Sequence, residues 1–472
     1  MMRMAKTLFD KIWEAHRIAD LGDDAALIAI DRVLLHERTG GVALQSLENA
    51  GYSVLAPERV FATMDHVVDT RPGRTDETVM PTGKDFIIAT REAARKAGIT
   101  VFDIGDPRQG IVHIISPEQG IIQPGSTLVC PDSHTCSQGA LGGLAWGIGS
   151  SEAEHALATG TLRIQKPGTM RITVSGTLAR GVTAKDLALH ILEQIGAAGS
   201  RGLALEYVGD AITALDIDQR LTLCNMATEL GAFTAIIAPD DKTFAYLEGR
   251  PFSPQGALWT AARTAGPDLA SDPGASFDRE WTMDAASVAP MITWGTSPQH
   301  AVRLGAAVPK TGDSDRDTPE AVKRALDYMG LEPEQEIVGL RIDAAFIGSC
   351  TNSRVSDLRR VAEILRGKHV APHVRAICVP GSSQVRIAAE AEGLHWVFLD
   401  AGFEWREAGC SMCFYAGGES FGPQERVISS TNRNFESRQG PGTRTHLASP
   451  ETVAASAIAG RIVSPAEGEP TP

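Results

Sequence analysis

Three cysteines in the C-terminal part of the chain are candidate metal ligands. Two residues separate Cys410 from Cys413, and Cys350 lies earlier, in Ile347-Gly348-Ser349-Cys350. Structural zinc sites usually take four thiolate or imidazole ligands, so three thiolates favour iron with one open position. By themselves, the cysteines leave zinc, a redox-active pair and an iron–sulfur cluster open, with a small buried core residue as the alternative for Cys350.

A βαβαβ unit is predicted around these cysteines. The apolar and amphipathic patterns predict strands at 344–348, 374–380 and 395–401, with helices at 355–366 and 382–393. Right-handed crossovers make such strands parallel, and ligands collect beyond their carboxyl ends. We therefore expect Cys350, after the first strand, to meet Cys410 and Cys413, after the third.

The loop Pro380-Gly381-Ser382-Ser383 follows the middle predicted strand and opens a helix. Free backbone N–H groups and the positive end of a helix dipole favour an anion at such a position. Ser382 and Ser383 are therefore candidates for binding a substrate carboxylate.

Histidines next to aspartates are the acid–base candidates. Asp132-Ser133-His134 follows the apolar segment 128–130, and Asp65-His66 repeats the arrangement. An aspartate can fix the tautomer of a histidine, and histidine can pass a proton near neutral pH. Bonding to nearby backbone is the alternative for each pair, and a core position is the alternative for His113 in the apolar stretch 110–116.

Composition limits the classes of function. With 472 residues the chain exceeds the size of a single core, so we expect two or three domains. The formal net charge of −14, without a Lys/Arg-rich tract, disfavours binding to nucleic acid or anionic membranes. There is neither an apolar leader segment nor a membrane-length apolar run, and the cysteine pattern suggests a reducing compartment, so we expect a cytoplasmic protein. The seven cysteines are Cys130, Cys136, Cys224, Cys350, Cys378, Cys410 and Cys413.

A series of motifs over about residues 5–462 resembles the aconitase superfamily and, within it, the large subunits of isopropylmalate isomerases. The cysteine-bearing motifs are Gly-Ser-Cys-Thr-Asn-Ser-Arg at 348–354 and Gly409-Cys410-Ser411-Met412-Cys413, followed by Ser430-Thr431-Asn432-Arg433-Asn434-Phe435. The other motifs, in family order, are Met64-Asp65-His66, Gly110-Ile111-Val112-His113, Asp132-Ser133-His134-Thr135, Trp146-Gly147-Ile148-Gly149-Ser150, Leu223-Cys224-Asn225-Met226, Gly402-Phe403-Glu404-Trp405-Arg406 and Arg444-Thr445-His446.

The resemblance implies an α/β fold with three α/β/α domains around a 4Fe-4S cluster. The expected domains are 1–168, 169–285 and 286–463, the last carrying the cluster cysteines, and a disordered tail is expected at 464–472. In this resemblance Cys350, Cys410 and Cys413 are the three ligands of one cluster, whose fourth iron binds substrate.

Site residues are also implied by the resemblance. The catalytic set that it implies is Asp65, His66, His113, Asp132, His134 and Glu229. The substrate-binding set is Ser133, Asn225, Ser382, Ser383, Arg433 and Arg438. The planar fork of an arginine can hold a carboxylate bidentately, whereas a solvated loop charge is the alternative for Arg433.

The implied reaction is dehydration of 2-isopropylmalate to isopropylmaleate and rehydration to 3-isopropylmalate, a step of leucine biosynthesis. Single-chain relatives carry a swivelling domain with the serine base, and the residues after 447 leave no room for it, so the resemblance implies a separate small subunit in a heterodimer. Two hypotheses from other classes are an RNA-binding regulator, which the net charge disfavours, and an inactive cluster-bearing subunit, which the retained Asp132, His134 and Arg433 disfavour.

Three segments depart from the family pattern. The usual His-Glu-Val-Thr-Ser-Pro-Gln reads His36-Glu37-Arg38-Thr39-Gly40-Gly41-Val42, the usual Leu-Ala-Met-Asn reads Phe414-Tyr415-Ala416-Gly417, and the usual Asp-His-Asn-Val-Pro-Thr reads Asp65-His66-Val67-Val68-Asp69-Thr70. All three are expected to border the substrate. A related hydro-lyase acting on citramalate, dimethylmalate or homocitrate/homoaconitate is therefore the alternative.

Overall fold

The structure is a computed structural model that describes residues 5–312, 316–415 and 418–465. Ala416 and Gly417 lie outside these ranges, as do residues 466–472 of the disordered tail expected at 464–472. The strands are β1 (Arg17–Gly22), β2 (Ala25–Ala29), β3 (Arg32–His36), β4 (Val60–Thr63), β5 (Thr100–Phe102), β6 (Thr127–Cys130), β7 (Leu144–Gly147), β8 (Thr161–Gln165), β9 (Gly168–Ser175), β10 (Leu203–Val208), β11 (Thr234–Ile236), β12 (Arg279–Asp284), β13 (Met291–Thr293), β14 (Ala301–Arg303), β15 (Ala344–Ile347), β16 (Arg375–Cys378), β17 (Phe403–Trp405), β18 (Arg426–Ser429) and β19 (Arg444–Leu447).

Helices alternate with these strands along most of the chain. The α-helices are α1 (Leu8–His16), α2 (Gly40–Asn49), α3 (Gly83–Ala97), α4 (Val112–Gln119), α5 (Ser150–Thr159), α6 (Ala184–Ile195), α7 (Asp210–Ala214), α8 (Ile217–Met226), α9 (Asp241–Leu247), α10 (Gly256–Ala265), α11 (Pro319–Met329), α12 (Val355–Leu365), α13 (Ser383–Ala391), α14 (Leu394–Ala401) and α15 (Pro450–Ala459). Short 3₁₀ helices are Pro57–Arg59, Ser133–Leu141, Ala227–Leu230, Gly266–Leu269, Ala285–Ser287 and Ser411–Cys413. Within the described ranges, no helix is long and apolar enough to cross a bilayer.

The chain divides into two compact units that are discontinuous in sequence. Unit 1 consists of the described residues up to Met64, Asp85–Thr177 and Gly199–Ala285. Unit 2 consists of Asp65–Lys84, Leu178–Ala198 and the described residues from Ala286 onward. The expected division into three consecutive domains places one boundary at the change of unit after Ala285 and another, at 168, inside unit 1. That finer division stays a prediction.

Unit 1 contains two parallel sheets and a small antiparallel one. The strand orders are β5-β4-β3-β6-β7 and β11-β10-β9-β12, both parallel throughout, and β1-β2-β8, which is antiparallel. Every residue of β6 is buried, which is the pattern of a strand covered on both faces of a parallel sheet. Its carboxyl end delivers the chain directly to Asp132.

Unit 2 is built on a five-stranded parallel sheet in the order β17-β16-β15-β18-β19, with the antiparallel hairpin β13-β14 beside it in sequence. The central strand β15 is entirely buried, and a cluster of Ala344, Phe346, Ile377 and Val427 includes the side chain of Met412. Because the strands are parallel, the loops that follow β15, β16, β17 and β18 all leave the same edge of the sheet. Met412, buried in that core, anchors the turn that carries the cysteine pair.

One predicted element of this unit is wrong. The segment 395–401 was predicted to be the third strand, but it belongs to helix α14, and the strand that precedes the cysteine pair is β17. The buried residues of α14, Leu394, Phe398 and Ala401, have helical spacing, and Gly402 ends this helix at φ 96°. A short apolar run rich in Trp, Val and Phe favours a strand by propensity, and periodicity over so few residues does not decide the matter. The other predicted elements of the unit are confirmed as β15, α12, β16 and α13.

Candidate functional site

Two short loops of unit 2 carry the three cysteines. Cys350 follows β15 after Gly348-Ser349, and Cys410 and Cys413 lie at the 3₁₀ turn that follows β17. Ser349 and Ser411 adopt left-handed φ angles of 85° and 48°. This conformation is uncommon for a residue with a Cβ, and such strained residues cluster at functional sites. Both cysteine loops are therefore held in conformations that the local sequence alone would not favour.

The sulfurs of Cys350 and Cys413 share two polar neighbours. The Nδ2 atom of Asn432 lies 3.4 Å from the Sγ of Cys350, and its Oδ1 lies 3.9 Å from the Sγ of Cys413. The Oγ of Ser349 lies 3.9 Å from the first sulfur and 3.2 Å from the second. One turn links Cys410 to Cys413, whose N–H donates to the Cys410 carbonyl at 2.9 Å. The structure thus brings the three cysteines together, and each is only 6–7% exposed.

An aspartate–histidine pair contacts the third sulfur. Asp65 Oδ1 lies 2.6 Å from His66 Nδ1, and the Sγ of Cys410 lies 3.8 Å from Asp65 Oδ2 and 4.0 Å from His66 Nδ1. The N–H of Cys410 donates to the Asp65 carbonyl at 2.8 Å. Burial raises the pKa of the Cys410 thiol well above its ordinary value, while His66 acts in the opposite direction. A thiolate at this position needs a bound cation to offset its burial.

Buried hydrogen bonds support the Cys350 loop from helix α12. The guanidinium of Arg354, at the N-terminus of that helix, donates to the carbonyls of Cys350 and Thr351, both at 3.0 Å. Asn352 donates to Asp357 Oδ1 at 3.2 Å. The two bonds from Arg354 satisfy backbone carbonyls that the tight loop leaves without strand partners.

Lys185 supports the neighbouring loop and was missed by the sequence analysis. It lies on α6, its side chain is fully buried, and its Nζ donates to the carbonyls of Ser430 and Thr431, the former at 3.2 Å. These carbonyls precede Asn432. Lysine is almost never fully buried, and nothing in Thr183-Ala184-Lys185-Asp186 distinguishes it from an exposed residue in the first turn of a helix.

The predicted substrate-binding residues of unit 2 lie on the same sheet edge. Ser382 is fully buried and caps α13, since its Oγ accepts from the Val385 N–H at 3.0 Å, and Ser383 begins that helix. Arg433 is half-buried in the loop after β18. Arg438 reaches Cys413, with its Nη2 3.9 Å from the sulfur.

Unit 1 contains a network of two histidines and two carboxylates. His113, on α4, places its Nε2 2.8 Å from Asp132 Oδ1, and the same oxygen accepts from the His134 N–H at 2.8 Å. His134 Nε2 lies 3.0 Å from Glu229 Oε1. Both histidines are at least 96% buried. A carboxylate oxygen therefore holds the ring of each histidine in a fixed orientation.

Ser133 and Asn225 adjoin this network. The Oγ of Ser133 lies 3.5 Å from His134 Nδ1. Asn225 is buried and donates to Ser137 Oγ at 2.9 Å, and that hydroxyl donates to the His134 carbonyl at 2.6 Å. Asp132 and Ser133 line a cleft of about 400 Å³ within unit 1. Ser133 can contact a ligand in the cleft. Asn225 instead supports His134 indirectly, through the Ser137 hydroxyl and the His134 carbonyl.

The surroundings of the three thiols fit an iron–sulfur cluster. An amide N–H of Asn432 is directed at one sulfur, and a guanidinium N–H of Arg438 is directed at another. Donors and positive charge next to ligating sulfurs suit a cluster, which carries thiolates and is tuned by hydrogen bonds to its sulfurs. A core made only for packing would not need these donors.

This chain is similar to a family model, to curated relatives and to solved structures, of which one relative and one structure serve as examples. Residues 10–460 match the model of the aconitase family (aconitate hydratase). The 3-isopropylmalate dehydratase large subunit 1 of Bradyrhizobium diazoefficiens is 51% identical over 458 residues, covering 97% of this chain and 96% of the relative. The crystal structure of Thermococcus kodakaraensis aconitase X in its holo-form is similar with a TM-score of 0.45 at 14% identity, covering 86% of this chain and 84% of that one. The matches to the family model and the relative extend over nearly the whole chain.

Proposed function

Because this chain belongs to the aconitase family, we propose that it is the cluster-bearing large subunit of a 3-isopropylmalate dehydratase. The observation that carries the proposal is the convergence of Cys350, Cys410 and Cys413 beside the Asp65–His66 pair. The name of the Bradyrhizobium relative supports the choice of substrate. The enzyme would isomerise 2-isopropylmalate and 3-isopropylmalate through isopropylmaleate, as a hydro-lyase of leucine biosynthesis.

Cys350, Cys410 and Cys413 would hold one 4Fe-4S cluster. When bound, such a cluster supplies a Lewis-acidic iron for the hydroxyl and a carboxylate of the substrate. Asn432 then donates to Cys350, and the Asp65 carbonyl holds the N–H of Cys410, so the chain keeps both sulfurs in place. Met412, which lies between the two cysteines in sequence, is buried in the core of the sheet and packs their turn against it.

Histidines move the protons of the dehydration. Asp65 Oδ1 holds His66 through its Nδ1 atom and so fixes the orientation of the ring, and we assign to His66 the donation of a proton to the departing hydroxyl. In unit 1, Asp132 holds His113 and Glu229 holds His134, in both cases through the Nε2 atom of the histidine. We assign Asp65, His66, His113, Asp132, His134 and Glu229 to proton transfer.

Carboxylate recognition would fall to arginines, serines and a helix end. Arg433 and Arg438 offer planar forks, and the N-terminus of α13, opened by Ser382 and Ser383, offers free N–H groups. Ser133 borders the cleft of unit 1. Asn225 completes the proposed substrate-binding set by holding the loop of His134.

A second chain is part of the proposal. The relative is named a large subunit, which supports a small-subunit partner that carries the swivel domain and the proton-abstracting base. We propose a cytoplasmic heterodimer that binds a small 2-hydroxy dicarboxylate and neither nucleic acid nor membranes, in keeping with the net charge of −14.

The sequence departures at 36–42, 65–70 and 414–417 favour a second candidate. A hydro-lyase for citramalate, dimethylmalate or homocitrate/homoaconitate would use the same cysteines and histidines with a differently shaped alkyl pocket.

A substrate panel tests the choice between them. The chain is co-expressed with a small-subunit partner, purified anaerobically, and given equal concentrations of 2-isopropylmalate, citramalate, dimethylmalate and homocitrate. The proposal expects the highest kcat/KM with 2-isopropylmalate and 3-isopropylmalate as the product. A higher kcat/KM with any other acid would replace the substrate assignment, and turnover by this chain alone would contradict the heterodimer.

A further inference from the structure

Two aromatic rings contact the guanidinium of Arg438. Its Cζ atom lies 4.6 Å from the ring centroid of Phe414 and 5.1 Å from that of Phe435. Its Nη2 atom lies 3.9 Å from the Sγ of Cys413. A cation at these distances from two ring centroids is attracted by both rings, and the contacts restrict the rotamers of a long side chain.

The backbone joins the same three residues. The N–H of Tyr415, next to Phe414, donates to the Arg438 carbonyl at 2.9 Å, and the Arg438 N–H donates to the Phe435 carbonyl at 3.0 Å. The first of these bonds joins the loop that carries Cys413 to the loop that carries Arg438, and the second fixes Arg438 relative to Phe435. The ring contacts extend this coupling from the backbone to the guanidinium.

Phe414 also contacts the histidine beside Cys410. The rings of His66 and Phe414 meet edge to face, with centroids 6.1 Å apart and an interplanar angle of 74°. A single half-buried side chain thus touches both a proposed proton donor and a proposed carboxylate-binding arginine. Arginine donates only from the edge of its planar group, so its orientation decides where a carboxylate can bind.

We propose that Phe414 is a positioning residue, which sets the orientation of Arg438, together with Phe435, and of His66. With the ring in place, the Nη2 edge of Arg438 stays directed to Cys413 and to a carboxylate bound beside it. A leucine at position 414 would remove the cation–π contact and leave the guanidinium free to sample other rotamers. The effect on substrate binding rests on the proposed function. The effect of Phe414 on the position of Arg438 beside Cys413 does not.

The test uses the anaerobically purified holoenzyme with its partner subunit and three variants. Phe414→Leu removes the ring, Phe414→Tyr keeps a ring of the same size, and Trp396→Leu removes an exposed aromatic residue of the same unit as a control. KM and kcat are measured with 2-isopropylmalate, and the midpoint potential of the cluster is measured by redox titration without substrate.

We expect Phe414→Leu to raise KM about tenfold, with a smaller change in kcat, because a half-buried cation–π contact is lost. We also expect a lower midpoint potential, since a cationic donor near a ligating sulfur stabilises the reduced cluster. Phe414→Tyr should restore both values, and Trp396→Leu should leave both unchanged.

Unchanged KM and potential in Phe414→Leu, with normal iron and sulfide content, would overturn the inference. Loss of the cluster in that variant would also overturn it, because the ring would then support the loop of Cys413 rather than the arginine. If the wild-type enzyme fails to convert 2-isopropylmalate, the proposed function fails instead, and the potential of Phe414→Leu still decides whether Phe414 positions Arg438.

Discussion

The side-chain amide of Asn432 is directed at Cys350, with Nδ2 3.4 Å from Sγ. These residues follow β18 and β15, which are adjacent in the parallel sheet, so strand pairing sets the distance between donor and sulfur. The Gly348 N–H donates to Ser430 Oγ at 3.1 Å and joins the same two loops nearer to their strands. The sheet itself thus places a hydrogen-bond donor on a sulfur that we assign to the cluster.

Replacing Asn432 by leucine should lower the midpoint potential of the cluster. The change keeps the volume but removes the donor that stabilises added negative charge on the sulfur. The measurement is a redox titration of the reconstituted protein. Asn434→Leu is the control, because the Asn434 amide donates instead to Thr293 Oγ1 and the Gly295 carbonyl. An equal shift in both variants would show that the loop, not the Asn432 donor, sets the potential.

Lys185→Met should lower the free energy of unfolding by about 1–3 kcal/mol. Methionine fills a similar volume but leaves the carbonyls of Ser430 and Thr431 without the buried donor that they have now. Urea unfolding followed by circular dichroism measures the change. The exposed Lys323, paired with Asp327 on a helix surface, provides the control Lys323→Met, which should change stability by less than about 0.5 kcal/mol. Equal effects would contradict the assigned role of Lys185.

His446 should make the protein less stable in mild acid. Burial and the neighbouring Arg426 lower the pKa of this histidine from 6.5 to about 3 in the folded state. Between these values the unfolded chain binds a proton that the folded chain does not, so stability is lost as the pH falls below about 6.5. The slope contributed by one such group is at most about 1.4 kcal/mol per pH unit.

The variant His446→Gln isolates this contribution. As the pH falls from 7 to 5, the urea midpoint of the wild type should decrease relative to that of the variant at the same pH. Burial raises the pKa of Asp186 to about 7, which makes stability fall as the pH rises through the same range, but this carboxyl is present in both proteins. Parallel pH profiles would contradict the neutral state of His446.

Arg433→Lys should lower kcat/KM for 2-isopropylmalate while the cluster spectrum stays unchanged. Lysine keeps the charge but loses the planar fork, which costs about 1.5–3 kcal/mol for a charge-assisted bond. Steady-state kinetics and the visible spectrum are recorded on one preparation. Unchanged kinetics with an intact spectrum would make Arg433 a solvated loop residue, and loss of both would indicate misfolding.

The sequence was informative where local patterns and sheet geometry coincide. The buried strand β15, the amphipathic helix α12 and the position of Cys350 follow from hydrophobic periodicity and from the rule that ligands gather at the carboxyl ends of parallel strands. The segment 395–401 was mistaken for a strand, because its β-branched and aromatic residues hide the helical spacing of Leu394, Phe398 and Ala401.

Contacts between distant segments were beyond the reach of the sequence. Lys185 and Thr431 are joined only by the tertiary fold, and no local pattern marks a lysine that will be fully buried. The contact of Phe414 with Arg438 depends in the same way on a turn whose conformation is set by Ser411 at φ 48°. The motifs indicated which residues matter, whereas the structure shows which of them touch.

The most direct test of the three-cysteine assignment is the iron and sulfide content of anaerobically reconstituted Cys350→Ser. The wild-type chain should carry about four iron and four sulfide ions, as expected for a 4Fe-4S cluster. Cys378→Ala, which alters a buried cysteine on the neighbouring strand β16, is the matched control and should keep them. We predict that Cys350→Ser loses the cluster and its visible absorbance while it keeps the far-ultraviolet circular dichroism of the wild type. Full iron and sulfide content in Cys350→Ser would contradict the assignment.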